Sequence, residues 1–414
     1  MVLGCVAIGF VPATVGAVDG APLDDPPVVD EGDKPGVYIE EETSNQSDAF
    51  EAPASVGLFF GSGEPEEAPT PGEPLLITSM SELEEMVDSP SSALRSGLEQ
   101  YFKRSKSEAR VVLATSEDAA TLSSSIESVT ADVGPALWVV PSLGQLSGAE
   151  YQAVAVELSK AAAASAGMAL LDPPDAVVDP MAGSKKPDVT PLVGLAGILR
   201  TALPAPDHTV LYSAPLVDPQ ASGDEVRVPA AAVMAAQFTA ADNLVGQWQA
   251  PAGASYPLVD LDPLYGVDNS VNAALNEAGI DAMRTMTGYG TVVWGARTLG
   301  ESADGPSYVS SVRTLDLVRL SIRSGLEAFE SSVNEKGTWE LVDAGATDFL
   351  KQLWQEGGLV GSNDEEAYSV EVGVPQSMTA EDVANGYLKL KAEVALEFPA
   401  EFAPVDVTVQ MQTE

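Results

Sequence analysis

The chain has 414 residues, of which 45% are hydrophobic, so it is long enough for two or three domains with a substantial core. Its 62 Asp and Glu residues outnumber 20 Lys and Arg residues, and the net charge of −42 excludes a basic face for nucleic acid or an anionic membrane. Cys5 is the only cysteine, which excludes an internal disulfide and a cysteine-based metal site.

The acidic residues are spread through every segment of the chain, which argues against an acidic interaction tail. An acidic, lysine-poor chain rich in Ala and Val is typical of proteins adapted to molar salt. The alternative is an ordinary acidic protein. Adaptation to salt predicts that assemblies of this chain loosen in dilute salt, because screening of its charge is then lost.

Residues 1–48 are predicted to be an N-terminal extension and linking arm, since acids and prolines dominate the second half of this segment. Residues 1–20 are apolar, but they lack the Lys or Arg of a signal peptide and are interrupted by Gly and Pro. We therefore expect an ordered arm or an extra edge strand here, with cleavage and export as the alternative. No apolar run reaches the length of a membrane span.

Residues 49–268 are predicted to form an α/β domain. Short apolar runs predict strands at 56–61, 75–78, 110–114, 136–140, 168–171 and 209–212. Helical patterns lie between several of them, at 94–102, 121–129 and 151–166, and Ser81 with Glu84 predicts a capping box for a helix through Val87. This alternation indicates a mostly parallel sheet covered on both faces.

Two stretches interrupt this pattern. Residues 171–191 contain several prolines and are predicted to be a surface loop. Residues 259–270 contain Asp260, Asp262 and Asp268, for which calcium binding is one interpretation. A solvated loop is the favoured interpretation, because the spacing differs from that of an EF-hand.

Residues 269–402 are predicted to form an α+β domain and residues 403–414 a C-terminal linking strand. Two amphipathic helices are expected at 315–329 and 349–356, the second ended by Gly357. Alternating patterns predict strands at 388–397 and 405–411, each with one buried face. Gly295 is expected to allow a close backbone approach, and Arg297 to pair with a buried carboxylate.

Several motifs, in order along residues 34–412, carry a family resemblance. They include PGVYIEE at 35–41, GQWQAPAG at 246–253, GYG at 288–290, VWGARTL at 293–299 and PAEF at 399–402. Together they resemble contractile tail sheath proteins of contractile-tailed viruses and extracellular contractile injection systems, here of a halophilic archaeal type. The departures are the extension of residues 1–33, Ser311-Val312-Arg313 where two arginines are common, and the few lysines.

The resemblance implies an α/β fold with a subtilisin-like-type sheet flanked by helices, a C-terminal α+β domain, and extended arms at both ends. It also implies a structural subunit that forms stacked six-fold rings around an inner tube and contracts to drive the tube through a target envelope. The partners implied are other copies of the chain, the inner tube protein, and baseplate and terminator or cap proteins, but no nucleic acid or membrane. The location implied is a virion tail, or an injection particle assembled in the host cytoplasm.

Two sets of candidate site residues follow. We expect an inter-subunit strand from both ends of the chain, with pairing inside one subunit as the alternative. Its residues are Val37, Tyr38, Ile39, Val405, Val407, Val409 and Met411. A tube-facing surface is expected on the second amphipathic helix, with core packing as the alternative, at Lys351, Gln352 and Gln355.

Two other function classes remain as alternatives. An enzyme with a catalytic triad would need His208, the only histidine, and the chain lacks a G-x-S-x-G elbow, a P-loop and a full dinucleotide fingerprint. We therefore expect no catalytic residue, cofactor or metal. The second alternative, a secreted surface or adhesin protein of a halophile, is favoured only by the apolar residues 1–20.

Overall fold

The computed structural model describes residues 49–50, 54–66, 73–130, 133–221, 226–302, 305–396 and 402–411. All of them lie in one compact unit, Ser44–Glu414. The strands are β1 Val56–Ser62, β2 Glu64–Pro65, β3 Leu75–Ile77, β4 Val87–Asp88, β5 Ala109–Ala114, β6 Ala136–Val139, β7 Met168–Leu171, β8 Thr209–Tyr212, β9 Leu216–Asp218, β10 Val226–Val228, β11 Asp262–Pro263, β12 Ile280–Met286, β13 Gly290–Trp294, β14 Arg297–Ser302, β15 Gly305–Tyr308, β16 Tyr368–Val372, β17 Tyr387–Ala395 and β18 Phe402–Gln410. The helices are α1 Met80–Met86, α2 Ser92–Ser105, α3 Ala119–Ser128, α4 Gly148–Ala164, α5 Asp175–Val178, α6 Thr190–Ala202, α7 Ala230–Leu244, α8 Asn269–Glu277, α9 Val309–Glu327, α10 Lys336–Gln355, α11 Asp364–Ala367 and α12 Ala380–Ala384.

The main sheet has eight strands in the order β13-β12-β8-β7-β6-β1-β5-β3. The pairs from β12 to β5 are parallel, and the edge strands β3 and β13 are antiparallel. The inner strands are apolar along their whole length because helices cover both of their faces. The predicted α/β architecture is therefore confirmed.

Two apolar layers hold this sheet between helices. One face packs against α3, α4, α6 and α8, and Trp138 stacks on Phe60 within it. The other face packs against α2 and α7, and Tyr101 meets Phe59 edge to face. Gly57 is required at this point, since a Cβ there would lie 2.6 Å from the Tyr101 ring.

The C-terminal layer consists of α9, α10 and a three-stranded sheet in the order β16-β17-β18. Phe50, which is fully buried, inserts between the two helices. Gly325 of α9 and Gly345 of α10 make room for it, because a Cβ at either position would lie within 2.6 Å of the Phe50 ring. The predicted C-terminal α+β layer is thus present in the structure.

Three details differ from the sequence predictions. The N-cap of α1 is Ser79, whose hydroxyl accepts from the Glu82 amide, so the predicted capping box at Ser81 and Glu84 was wrong. The buried, alanine-rich α7 had not been predicted, and neither had α6. The predicted domain boundary at 268/269 divides the main sheet, because β12 lies after this boundary and pairs in parallel with β8 of the same sheet. Within the described residues, no helix is long and apolar enough to cross a membrane.

Candidate assembly interface

The C-terminal sheet is the part of the structure that contains the predicted terminal strand. β17 lies in the centre and pairs antiparallel with β16 on one side and with β18 on the other. The β17–β18 ladder runs without a register shift from Tyr387 opposite Gln410 to Ala395 opposite Phe402. Residues 405–411 therefore form a strand, as predicted, and here it pairs within its own chain.

The alternation of β18 produces one buried face. Val405, Val407, Val409 and Met411 are each less than a tenth exposed, while Asp406, Thr408 and Gln410 face solvent. The buried side chains pack with α9, which lies against β18. A register slip of one residue would expose every valine, so the register of this strand is strongly specified.

Both edges of this sheet lack a strand partner in the part of the chain that the structure describes. β18 is the longer edge, with nine residues. Such an edge presents unpaired N–H and C=O groups, which are a template for pairing with another chain. The C-terminal sheet is therefore suited to accept a strand.

A row of charges crosses the outer face of this sheet. Lys391 of β17 lies directly opposite Glu371 of β16 and directly opposite Asp406 of β18. Opposite charges at such positions stabilise a strand pair by roughly 0.2–1 kcal/mol. This row thus favours the observed register of β18, whichever chain supplies the strand.

The N-terminal half of the predicted inter-subunit strand is Val37, Tyr38 and Ile39. These residues lie outside the described part of the chain. Their pairing therefore stays a prediction.

The predicted tube-facing residues lie on the last turns of α10. Lys351, Gln352 and Gln355 are exposed, whereas the intervening Leu353 is buried against the C-terminal core. Gln352 donates a hydrogen bond to Glu356. These three side chains form one polar surface patch and do not belong to the core.

His208 is held between two acidic side chains. Its Nε2 lies 2.8 Å from Oδ2 of Asp316 on α9, and its Nδ1 lies 3.2 Å from Oδ1 of Asp207. Burial lowers the pKa of His208, but the two carboxylates outweigh it and raise the pKa to about 9. Both ring nitrogens face carboxylates and neither faces a serine hydroxyl, so the arrangement is an ion-pair cluster and not a triad.

A buried ion pair that sequence reasoning missed joins α7 to α9. Arg313 donates to both carboxylate oxygens of Asp242, at 3.0 and 2.5 Å, and to the Ser55 hydroxyl at 3.0 Å. Its guanidinium also lies over the Phe238 ring. Each charged side chain is only 4% exposed. Arg313 lies in the segment Ser311-Val312-Arg313, where the chain departs from the family pattern, and its separation of 71 residues from Asp242 concealed the pairing.

The three aspartates of the acidic loop at 259–270 lie in separate structural environments. Asp260 pairs with Lys103 and Arg104, and Asp268 caps the N-terminus of α8. Asp262 lies in the short strand β11. Among the described residues, no group of three or more His, Cys, Asp or Glu side chains is placed to hold a metal ion.

Arg297 differs from its prediction. Its guanidinium donates to the Asn276 carbonyl at 2.6 Å, while its backbone N–H donates to the buried Asp281 carboxylate at 3.0 Å. Gly295 allows this approach as predicted, because a Cβ there would lie 2.5 Å from Oδ1 of Asp281. Burial raises the pKa of Asp281 to about 7.

Comparison with solved structures identifies the same architecture in contractile particles. A chain of the anti-feeding prophage baseplate, 6-fold symmetrised, matches with a TM-score of 0.66 at 24% identity, over 92% of this chain and 99% of that chain. The fold is that of a contractile sheath protein. The helical sheath of the anti-feeding prophage in the contracted state matches with a TM-score of 0.65 at 24% identity, over 92% and 99% of the two chains. The contracted PVC sheath complex of an extracellular contractile injection system matches with a TM-score of 0.64 at 24% identity, over 92% and 98%.

No protein-family model matches the chain, and no curated protein matches it. The three solved structures named above are sheath and baseplate components and not enzymes.

Proposed function

We propose that this chain is the subunit of a contractile sheath. Copies polymerise as stacked six-fold rings around an inner tube, and contraction of the rings drives the tube through a target envelope. The observation that supports this most strongly is the sheath fold, which extends over 92% of the chain and over 99% of a sheath subunit from the anti-feeding prophage. The particle is a virion tail or an injection device assembled in the host cytoplasm.

The proposed link between copies is the exchange of β18. Residues 396–401 connect β17 to β18, and opening this connection would let β18 pair with β17 of an adjacent copy. Exchange of an identical element preserves every contact of the strand, so it costs little beyond the rearranged connection. The valines at 405, 407 and 409 would then insert into the core of the neighbour. Residues Val37 to Ile39 would occupy a further open edge of the same sheet.

A shared strand explains how rings change shape without dissociating. Each net hydrogen bond contributes about 0.5–1.5 kcal/mol, so a strand of several bonds remains in place while weaker surface contacts are replaced. The exchanged strand then acts as the hinge of the lattice. The shared strand keeps neighbouring copies connected, while the helical surfaces of the copies pack in one way before contraction and in another way after it.

We assign contact with the inner tube to the exposed end of α10. Lys351, Gln352 and Gln355 provide a cation and two amides on an otherwise acidic molecule. Such a patch is suited to polar, reversible contacts, because the tube must be released during contraction. Baseplate and terminator or cap proteins complete the set of partners at the two ends of the sheath.

Negative-stain microscopy of the purified protein in molar salt tests this function. We expect hollow striated cylinders from the full chain, and soluble single copies after deletion of residues 405–414. A full chain that stays monodisperse under all salt conditions contradicts the sheath proposal. Cylinders formed by the truncated chain contradict the role of the terminal strand alone.

A further inference from the structure

Arg284 is an arginine of β12 whose guanidinium is only partly hydrogen-bonded by the residues that the structure describes. Its Nη2 donates to Oδ1 of Asn269 on α8 at 3.1 Å, and this is its one hydrogen bond to the described residues. Its Nε is buried without a partner in that same part of the chain. No carboxylate of the described residues forms an ion pair with Arg284, so its positive charge is not neutralised within that part of the chain.

Most other arginines of the described segments form an ion pair with a carboxylate. These are Arg95, Arg104, Arg200, Arg227, Arg313 and Arg319. Arg284 instead has the amide oxygen of Asn269 on α8 as its hydrogen-bond partner. Asn272, three residues further along α8, has a buried Oδ1 without a partner among the described residues.

Trp294 accompanies Arg284 on the same face of the sheet. Residue 284 lies opposite 292, so Trp294 is its diagonal neighbour, and the guanidinium carbon lies 5.8 Å from the Trp294 ring centroid. Trp294 is 37% exposed at the end of the edge strand β13. Tryptophan and arginine are both enriched among the residues that contribute most to the binding energy of protein interfaces.

We propose that Arg284 and Trp294 form an anchor for a carboxylate side chain of a second copy of this chain. The inference deepens the proposed sheath function and rests on it. Charge complementarity selects the occupant, since each copy carries a net charge of −42 while Arg284 has no ion-pair partner among the described residues. The planar fork of arginine binds a carboxylate through two N–H groups, and the tryptophan ring excludes water from the contact. A desolvated pair of this kind is screened little by salt, so it persists in molar salt.

Two variants that change the net charge equally test the anchor. Arg284→Gln and Arg95→Gln each remove one positive charge, but Arg95 forms an exposed surface ion pair with Glu84. Sedimentation of purified protein in molar salt measures the critical concentration for assembly. We expect Arg284→Gln to raise it about tenfold and Arg95→Gln to leave it unchanged. The critical concentration of Arg284→Lys should lie between those of the two Gln variants, because lysine keeps the charge but lacks the planar fork of arginine.

Trp294→Ala tests the other half of the anchor, and it keeps the charge of the chain. We expect it to raise the critical concentration as well, with the thermal unfolding of the unassembled protein close to that of the wild type. Assembly of Arg284→Gln and Trp294→Ala at the wild-type concentration overturns the anchor. If these variants assemble normally but lose binding to another acidic component, the second copy is the wrong occupant. A wild type that fails to assemble contradicts the sheath function itself, which is a separate outcome.

Discussion

At the scale of single residues, the Arg313–Asp242 pair is a buried ionic contact between α7 of the main sheet layer and α9 of the C-terminal layer. Arg313 has three hydrogen bonds and an aromatic ring around it, and neither charge reaches solvent. Burying such a pair costs desolvation free energy. Removing one partner destabilises the fold strongly, because the other charge stays buried without a counter-ion. The pair therefore fixes how α9 lies against α7.

Asp242→Ala is expected to lower the free energy of unfolding by about 3–5 kcal/mol, because Arg313 stays buried without its counter-ion. Glu84→Ala, which breaks the exposed bridge to Arg95, should cost no more than about 1 kcal/mol. Urea unfolding at a fixed salt concentration measures the free energy of unfolding of both variants. Equal losses in the two variants would contradict the importance of the buried pair.

His208 predicts a pH dependence of stability. Its pKa is about 9 in the folded protein against 6.5 in the unfolded chain, so the stabilisation is complete below pH 6.5 and is lost as the pH rises through 9. The unfolding temperature of the wild type should therefore fall between pH 6.5 and 9.5. His208→Gln, which does not titrate, should show a smaller fall over the same range. Parallel curves for the two proteins would show that His208 is not the group responsible.

At the scale of elements, the terminal strand was predicted from its alternating pattern alone, and the structure confirms that pattern. A period of two determines which face of β18 is buried, but it carries no information about which chain provides β17. The assignment of the strand to a neighbour thus rests on the open edge and on the fold, and it stays a proposal.

Val407→Asp and Thr408→Asp form a matched pair in this strand, because they add the same charge to opposite faces. Val407 is buried and Thr408 is exposed. We expect Val407→Asp to abolish assembly, since it places an unpaired charge in the core, and Thr408→Asp to have little effect. The sedimented fraction in molar salt is the measurement, and equal fractions for both variants would argue against the burial of β18 in the assembled state.

Other elements were hidden from sequence reasoning for physical reasons. Residues 230–236 of α7 are apolar and all buried, so this part of the helix has no amphipathic stripe. The preceding Pro229 and the alanine run of this helix were the available signal. The order of the eight strands depends on long-range pairing, which local periodicity does not encode. The Arg313–Asp242 pair, 71 residues apart, was missed for the same reason.

At the scale of the whole molecule, charge governs association. Each copy carries a net charge of −42, so packed copies repel one another unless salt screens them. The screening length is about 3 Å at 1 M salt and about 30 Å at 0.01 M. Assembly in a lattice therefore depends on the salt around it.

We expect light scattering of the assembled protein to fall steeply on dilution from molar to millimolar NaCl. Screening depends on ionic strength and not on the identity of the ion, so KCl at the same ionic strength should give the same curve. Scattering that stays constant over this range would contradict the expected adaptation to salt.

Covalent trapping directly measures whether β18 of one copy pairs with β17 of the next copy. Lys391 and Asp406 lie opposite each other in the β17–β18 ladder, so Lys391→Cys with Asp406→Cys places two thiols within reach of a disulfide. Cys5→Ser removes the only native thiol. After oxidation of the assembled protein, we predict a ladder of covalent multimers on a non-reducing denaturing gel, and covalent dimers when the two single-cysteine variants are mixed before assembly. Cross-linked single chains without multimers would contradict the exchange of the strand.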